Sequence, residues 1–525
     1  MALTRPPRRI PTPQELGLPA KFDRWRPAQE EFLDVIITSN KRVKAACAPT
    51  GFGKSLAVVG GALYSARPTC IVTYSRALQK QYMEDFSDCG MVSLMGKQNY
   101  PCTLREDYSC EEGTAANCPH RGTVMCASSQ AEMAAAASSL VVTNYAKWTA
   151  SRKYGTGMAH FQQVVFDEGD EGPDAIAEAM RVVLNFKEVE KDLQLSFPAA
   201  HEAEEIEIWR TWARHAASVA ENEMNIARAR ITGVSSPRPS HVRHYTHMRN
   251  LWRRLAVVKS ARPEDWIVEQ INNVGYQFDP IRIGRYAEST LLLHVPHIIF
   301  VSATIRPKTL YMMGIGRADS EFREFPSTFP PERCPVYYSP AMRVDSRADS
   351  LAPLWLKFDQ IHARRTDRNC VVHTVSYERR KEIVNASRFG NNMIYNDKGE
   401  PVAETLERFY GTYPGAILVS PSVESGYDFR FKRCEWQYIC KIPFEPPSKI
   451  LKAREAEDRE YRVYNAARRL VQMVGRPMRD EKDQCETVLA DGHGDWFLNR
   501  VGHLVPKHFK VTPALVVPPP PPRLP

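Results

Sequence analysis

The chain has 525 residues, enough for two to four domains, and its 43% apolar and 25% charged residues are those of an ordinary globular protein. The formal net charge of +9 permits a polyanionic partner such as nucleic acid without requiring one. There is no secretory h-region near Met1 and no apolar run of the roughly 18 residues a membrane span needs, so neither a secretory signal nor a membrane span is expected. A cytoplasmic location with reduced thiols is the expectation.

Residues 1–20, rich in Pro and Arg, read as an N-terminal arm. From 21 onward, β-rich runs (RVKAACA, CIVTY, SLVVTNY, QVVFDE) alternate with helical stretches, which predicts a parallel α/β domain extending to 315. Within it, about 175–265 reads as a helical insertion. Ile206, Trp209, Trp212, Ala216 and Ala220 repeat at helical spacing, as do Val242, Tyr245, Met248, Trp252 and Leu255. The second of these helices also carries Arg243, Arg249, Arg253, Arg254 and Lys259, a solvated face or a surface for phosphates. A linker is expected over 316–345. A second α/β alternation (NCVVHTV, GAILVSPS, WQYICKIPF, ETVLAD) predicts a further domain over 346–510, and the Pro-rich 511–525 reads as a disordered tail.

After the strand RVKAACA comes Ala48-Pro49-Thr50-Gly51-Phe52-Gly53-Lys54-Ser55, with a helix to follow. This is a P-loop in its strand–loop–helix context, with Ala48 at the usual first glycine. Gly51 and Gly53 let backbone N–H groups curl around phosphate oxygens, Lys54 brings a point charge to them, and Ser55 supplies a hydroxyl to Mg²⁺. The strand Val164-Val165-Phe166 then delivers Asp167 for Mg²⁺ and Glu168 to activate water. Far downstream, Arg476 and Arg479 of QMVGRPMR fall on one side of a helical turn and suit arginine fingers.

From Cys102 to Cys126, four cysteines (Cys102, Cys110, Cys118, Cys126) follow one another with seven residues between each pair. In a reduced compartment this favours metal over disulfides: four thiolates suit tetrahedral Zn²⁺, and His120 offers a substitute ligand for one of them. Four unliganded thiols remain the bland alternative.

Taken in order over about residues 22 to 500, these features resemble a superfamily 2 helicase of the XPD/DinG type. Arg26 and Gln29 of RPAQ resemble the adenine-reading Q-type motif. Arg76 and Lys80 of TYSRALQKQ resemble motif Ia, which touches the nucleic-acid backbone. Ser302-Ala303-Thr304 resembles motif III, SPSVESGYDF with Gly426 and Asp428 resembles motif V, and Gln472, Gly475, Arg476 and Arg479 match motif VI. Motif II departs from the usual Asp-Glu-Ala-His: it reads Asp167-Glu168-Gly169-Asp170, which puts coupling of hydrolysis to motif III in question.

The resemblance implies two RecA-like domains with ATP and Mg²⁺ between them. It also implies a four-cysteine [4Fe–4S] module at about 95–135 and an arch-like helical insertion. The expected activity is ATP-dependent, 5′-to-3′ translocation on single-stranded DNA with unwinding of forked duplex, in repair, recombination or replication. A monomer with no membrane partner is expected. The alternatives are a translocase that leaves strands paired and a nucleotide-switched binding module.

Overall fold

The computed structural model describes residues 9–153, 158, 160–199, 204–234, 237–345, 350–421, 423, 429, 433–479 and 482–523. Gly426 and Asp428 lie outside the described residues.

The first domain opens with β1 (Val43–Cys47), β2 (Thr69–Thr73), β3 (Val92–Ser93), β4 (Leu140–Asn144) and β5 (Gln163–Asp167). The chain then leaves for the insertion, which contains β6 (Val182–Asn185), β7 (Trp266–Ile271) and β8 (Gly275–Pro280). It returns with β9 (His297–Ser302) and β10 (Ser320–Glu324) to finish a seven-stranded parallel sheet ordered β10-β1-β9-β5-β2-β4-β3. β1, β2, β4 and β5 are buried along their whole length or nearly so, as apolar strands covered on both faces must be.

The second domain is built from β11 (Val336–Met342), β12 (Cys370–His373), β13 (Met393–Ile394), β14 (Ile417–Ser420), β15 (Trp436–Ile439), β16 (Glu486–Asp491) and β17 (Val511–Pro513). Its parallel order is β13-β14-β12-β15-β16-β11-β17. Two parallel sheets of this kind, one after the other, make the pair of RecA-like domains expected.

The region read as a linker contributes β10 to the first sheet and β11 to the second. Both are edge-proximal strands, and the charged, half-buried SEFRE of β10 gives no apolar run for a sequence pattern to catch.

The tail also differs from the disordered segment expected. As far as Arg523 it straps the second domain: β17 pairs with β11, and Val517 is buried in the core. Proline removes N–H donors but leaves carbonyls, and arginines collect them. Arg365 donates to the Pro518 carbonyl at 2.7 Å, and Arg523 pairs with Glu435 at 2.6 Å.

The two helical patterns of the insertion are the antiparallel helices Ile206–Ala229 and Pro239–Ser260, packed through Trp209, Ala213, Ala216, Ala220, Met248, Leu251 and Leu255. Alternation rather than helical spacing governs their base, a three-stranded antiparallel sheet ordered β6-β8-β7. This base touches the second domain, where Arg454 donates to the Pro280 carbonyl at 2.9 Å and Arg282 forks onto Glu457. No helix among the described residues is long and apolar enough to cross a membrane.

Candidate nucleotide and nucleic-acid sites

The P-loop leaves the carboxyl end of β1 and enters the helix Lys54–Ser65. Gly51 and Gly53 have φ of 77° and 78°, the left-handed region where a side chain is strained. Close neighbours add to the need for glycine: a Cβ on Gly51 would lie 2.4 Å from the Phe329 ring, and one on Gly53 would lie 2.5 Å from Gln29 Nε2.

Arg26 and Gln29 stand behind this loop. Gln29 is buried, its amide donates to the carbonyls of Phe52 (2.8 Å) and Gly53 (3.1 Å), and its Oε1 accepts from Arg26 N at 2.9 Å. The Arg26 guanidinium donates to the Gly51 carbonyl. Lys54 Nζ reaches the Ala48 carbonyl at 3.5 Å, inside the curl of the loop.

Asp167 ends β5, the second strand away from β1. Burial pushes its carboxyl above the usual range, opposed by the charge of Lys54. The wholly buried Tyr82 donates to Asp167 Oδ2 at 2.8 Å and has Ser55 beside it. It tethers the acid suited to Mg²⁺. Sequence reasoning missed Tyr82, six residues beyond Arg76, because no motif marks it.

Glu168 sits at φ 52°, an uncommon conformation for a residue with a side chain, and this turns its carboxylate off the strand. A hydrogen-bonded chain leads away from it. Ser302 Oγ lies 3.4 Å from Glu168 Oε2 and 3.3 Å from Thr304 Oγ1, and Thr304 donates to Asp170 Oδ2. Gln472 Nε2 donates to the same Asp170 oxygen at 2.8 Å. The acid in the usual histidine position thus joins motifs II, III and VI.

The helix Tyr461–Gly475 carries Gln472 and ends against the P-loop: a Cβ on Gly475 would stand 3.5 Å from Thr50 Cγ2. Arg476 follows at the helix end, and Arg479 N donates to Asp483 Oδ2 at 2.7 Å. One cleft therefore brings together Thr50, Gly51, Gly53, Lys54, Ser55, Asp167 and Glu168 of the first domain and Gln472 and Arg476 of the second.

The four cysteines are buried and unbridged. The Sγ atoms of Cys110 and Cys126 lie 3.3 Å apart, well beyond the roughly 2.05 Å of a disulfide. Cys118 hydrogen-bonds Cys102 and feels the charge of Cys126, so the two pairs adjoin. Among the described residues, no group of three or more His, Cys, Asp or Glu side chains is arranged as it stands to hold a metal ion. Four adjoining buried sulfurs are nevertheless a donor set that fits a thiolate-bound group. Burial and Cys126 push Cys110 up to about 11 and burial also raises Cys118, both toward the thiol, whereas Cys126 falls below its ordinary value. Burial works against that fall, and hydrogen bonds from Ser129 and the Ser128 and Ser129 amides outweigh it.

The module has local order of its own. Ser109 and Glu112 form a capping box on the short helix Cys110–Ala115. Gly113 lets Cys102 come close, since a Cβ there would be 2.2 Å from Cys102 Sγ. The module docks on the insertion, with Cys102, Tyr108 and Cys118 packed on Ile231 and Val242, and Arg243 paired to Glu112 at 2.9 Å.

Between module, first domain and insertion lies a cleft of about 710 Å³, lined by Arg76, Lys97, Arg121, Lys147, Arg249 and Arg253, with Tyr74 and Asn99. Arg249 and Arg253 come from the basic helix singled out in the sequence. Lys97, Arg121 and Lys147 carried no signal, since they are scattered in sequence. Lys80 does not line this cleft: it is exposed and pairs with Glu84 at 3.4 Å.

Residues 361–511 match the family described as helicase C-terminal domain. Solved structures align along nearly the whole chain. An XPD helicase is 16% identical with a TM-score of 0.67, covering 94% of this chain and 100% of that one. An apo XPD structure is 15% identical (TM-score 0.61; 93% and 100% covered), and Xpd4 of S. tokodaii is 14% identical (0.59; 93% and 100%). No curated protein sequence matches the chain.

Proposed function

Starting from a chain with the XPD-type superfamily 2 helicase fold and a helicase C-terminal domain, we infer an ATP-driven DNA helicase that moves along single-stranded DNA. The observation that carries this reading is the meeting of P-loop, motif II acids and motif VI helix in one cleft, with a basic groove alongside.

In this reading Lys54 neutralises the outer phosphates of ATP, and the Gly51–Gly53 amides cradle them. Ser55 and Asp167, the latter held by Tyr82, would bind Mg²⁺, which supplies charge neutralisation on the phosphates. Glu168 accepts a proton from the attacking water. Arg476 and Arg479 approach from the second domain and stabilise the charge of the transition state. ATP bridges the two domains and hydrolysis removes the bridge, so the cleft alternates between closed and open.

The groove would grip phosphates through Arg76, Lys97, Arg121, Arg249 and Arg253, a contact tolerant of sequence and weakened by salt. Cys102, Cys110, Cys118 and Cys126 would hold a [4Fe–4S] cluster, with Zn²⁺ as the alternative, as a clamp on a module that has little core of its own. Motion from 5′ to 3′, strand separation at a fork, a monomeric state, a cytoplasmic setting and a role in repair, recombination or replication complete the proposal on the strength of the resemblance.

Lys54→Ala is expected to abolish strand-stimulated ATP hydrolysis. Hydrolysis at the wild-type rate by purified Lys54→Ala protein would end this account. A labelled-fork displacement assay separates a helicase from a translocase, and multiple turnover excludes a nucleotide switch.

A further inference from the structure

One buried cation in the cleft belongs to none of the motifs. Arg468 lies on the Tyr461–Gly475 helix, one turn before Gln472 and two before Arg476, so the three share a face. It is 5% exposed, yet it crosses from the second domain to the first. Its guanidinium donates to the main-chain carbonyl of Asp170 and to Asp174 Oδ2, with Glu171 Oε2 at 3.9 Å and Asp170 Oδ2 at 4.0 Å.

Those partners are the continuation of motif II. Gly169–Glu171 form a single 3₁₀ turn after the left-handed Glu168, and the helix Gly172–Met180 follows. The turn is held at its carboxylate by Thr304 and Gln472, and at its backbone by Arg468. A hydroxyl and an amide fix one atom of Asp170. The guanidinium adds a hold on the carbonyl of Asp170, two residues beyond Glu168. Arg suits this because its planar fork can serve a carbonyl and a carboxylate at once, whereas a lysine presents a point charge.

We propose that Arg468 is a positioning residue of the ATPase: by gripping the Asp170 peptide and Asp174 it keeps the Glu168 turn in working geometry only while the second domain is docked. It rests on the ATPase reading above, which it deepens. Arg468 touches neither nucleotide nor water and acts through the turn that carries Glu168. Domain docking and alignment of the base become one event, so a chain whose domains have parted also loses its aligned base.

The test uses the full chain with single-stranded DNA. Arg468→Met is expected to lower strand-stimulated kcat by 10- to 100-fold with KM for ATP changed less than threefold, because the P-loop lies in the other domain. Arg468→Lys should regain only part of the loss. Should Arg468→Met fold poorly, Asp174→Asn removes the same grip from the milder side and should lower kcat in the same pattern at an unchanged melting temperature. A raised KM with unchanged kcat, or full activity in both variants, overturns the proposal. A second reading is independent of hydrolysis. Labels on the two domains should report, by energy transfer, less docked population in Arg468→Met than in wild type. An unchanged signal overturns the proposal even if wild-type chain proves to hydrolyse nothing, the result that would sink the ATPase reading instead.

Discussion

Replacing Gln29 by alanine separates two roles for the same side chain. The resemblance makes it a reader of adenine. The structure engages its amide with the P-loop: Nε2 donates to Phe52 O and Gly53 O, and Oε1 accepts from Arg26 N. Gly53 O also receives Ala57 N at 3.2 Å, so it keeps a partner when Gln29 is cut back. Phe52 O, which is buried, loses its partner, at a cost of about 1–3 kcal/mol. If roughly half of that falls on ordering the loop around phosphates, nucleotide affinity drops by about twofold to tenfold, at 1.4 kcal/mol per decade. Equilibrium titration with ATP and GTP analogues measures it. A brace on the phosphate loop weakens both nucleotides alike. Loss of ATP affinity with GTP binding untouched would refute the brace and return Gln29 to the base.

Three further outcomes follow from the geometry. Gly113→Ala drives a methyl to 2.2 Å from Cys102 Sγ, so, on the proposed metal clamp, the purified variant should carry less iron or zinc than wild type while still binding ATP; equal metal content in the two would refute the close packing. Glu171 is raised from the usual 4.5 to about 7 by burial, with Arg468 opposing the rise and Asp170 and Asp174 adding to it. An acid raised in the folded chain contributes stability at low pH. That contribution, up to roughly 3 kcal/mol, should be lost from the folding stability as pH climbs from about 4.5 to about 7, and Glu171→Gln should flatten the profile. Identical pH profiles for the two proteins would dismiss that linkage. Ending the chain after Lys510 removes β17, buries no Val517 and orphans a donor of Arg365, which is itself wholly buried with Glu486. Urea unfolding should show a loss of about 3 kcal/mol or more, and an unchanged midpoint would contradict the strap.

What could be read in advance depended on whether the chemistry is local in sequence. The P-loop, Asp167-Glu168 and the Gln472–Arg479 run are short strings whose residue types are dictated by phosphate and metal, so the string alone carries the meaning. The helices of the insertion were legible because Trp209, Ala216, Met248 and Leu255 repeat with the helical period. Its sheet was not, since Tyr276 and Phe278 of β8 are buried against Trp209 of a helix far back in the chain and β8 takes β6, also far upstream, as its outer partner. Arg468 reads as one more surface arginine until the fold sets it against Asp170 and Asp174. The four cysteines gave their chemistry but not their neighbours: nothing in the spacing said that Gly113 must be bare. The Pro-rich end misled through composition, which counts missing donors and overlooks carbonyls that Arg365, Arg368 and Gln484 are there to receive.

The strap also sets an order of events during synthesis. β11 is laid down early in the second domain, and its outer partner β17 appears roughly 175 residues later, a wait of about 10–35 s at ribosomal speeds. The inner partner of β11, β16, also comes roughly 150 residues after it, so β11 waits first with both edges and then with its outer edge unpaired, the kind of surface that recruits other chains. The second domain is thus a late finisher. A stalled or truncated nascent chain would expose an open sheet, whereas the first domain, whose last strand β10 precedes β11, is already closed.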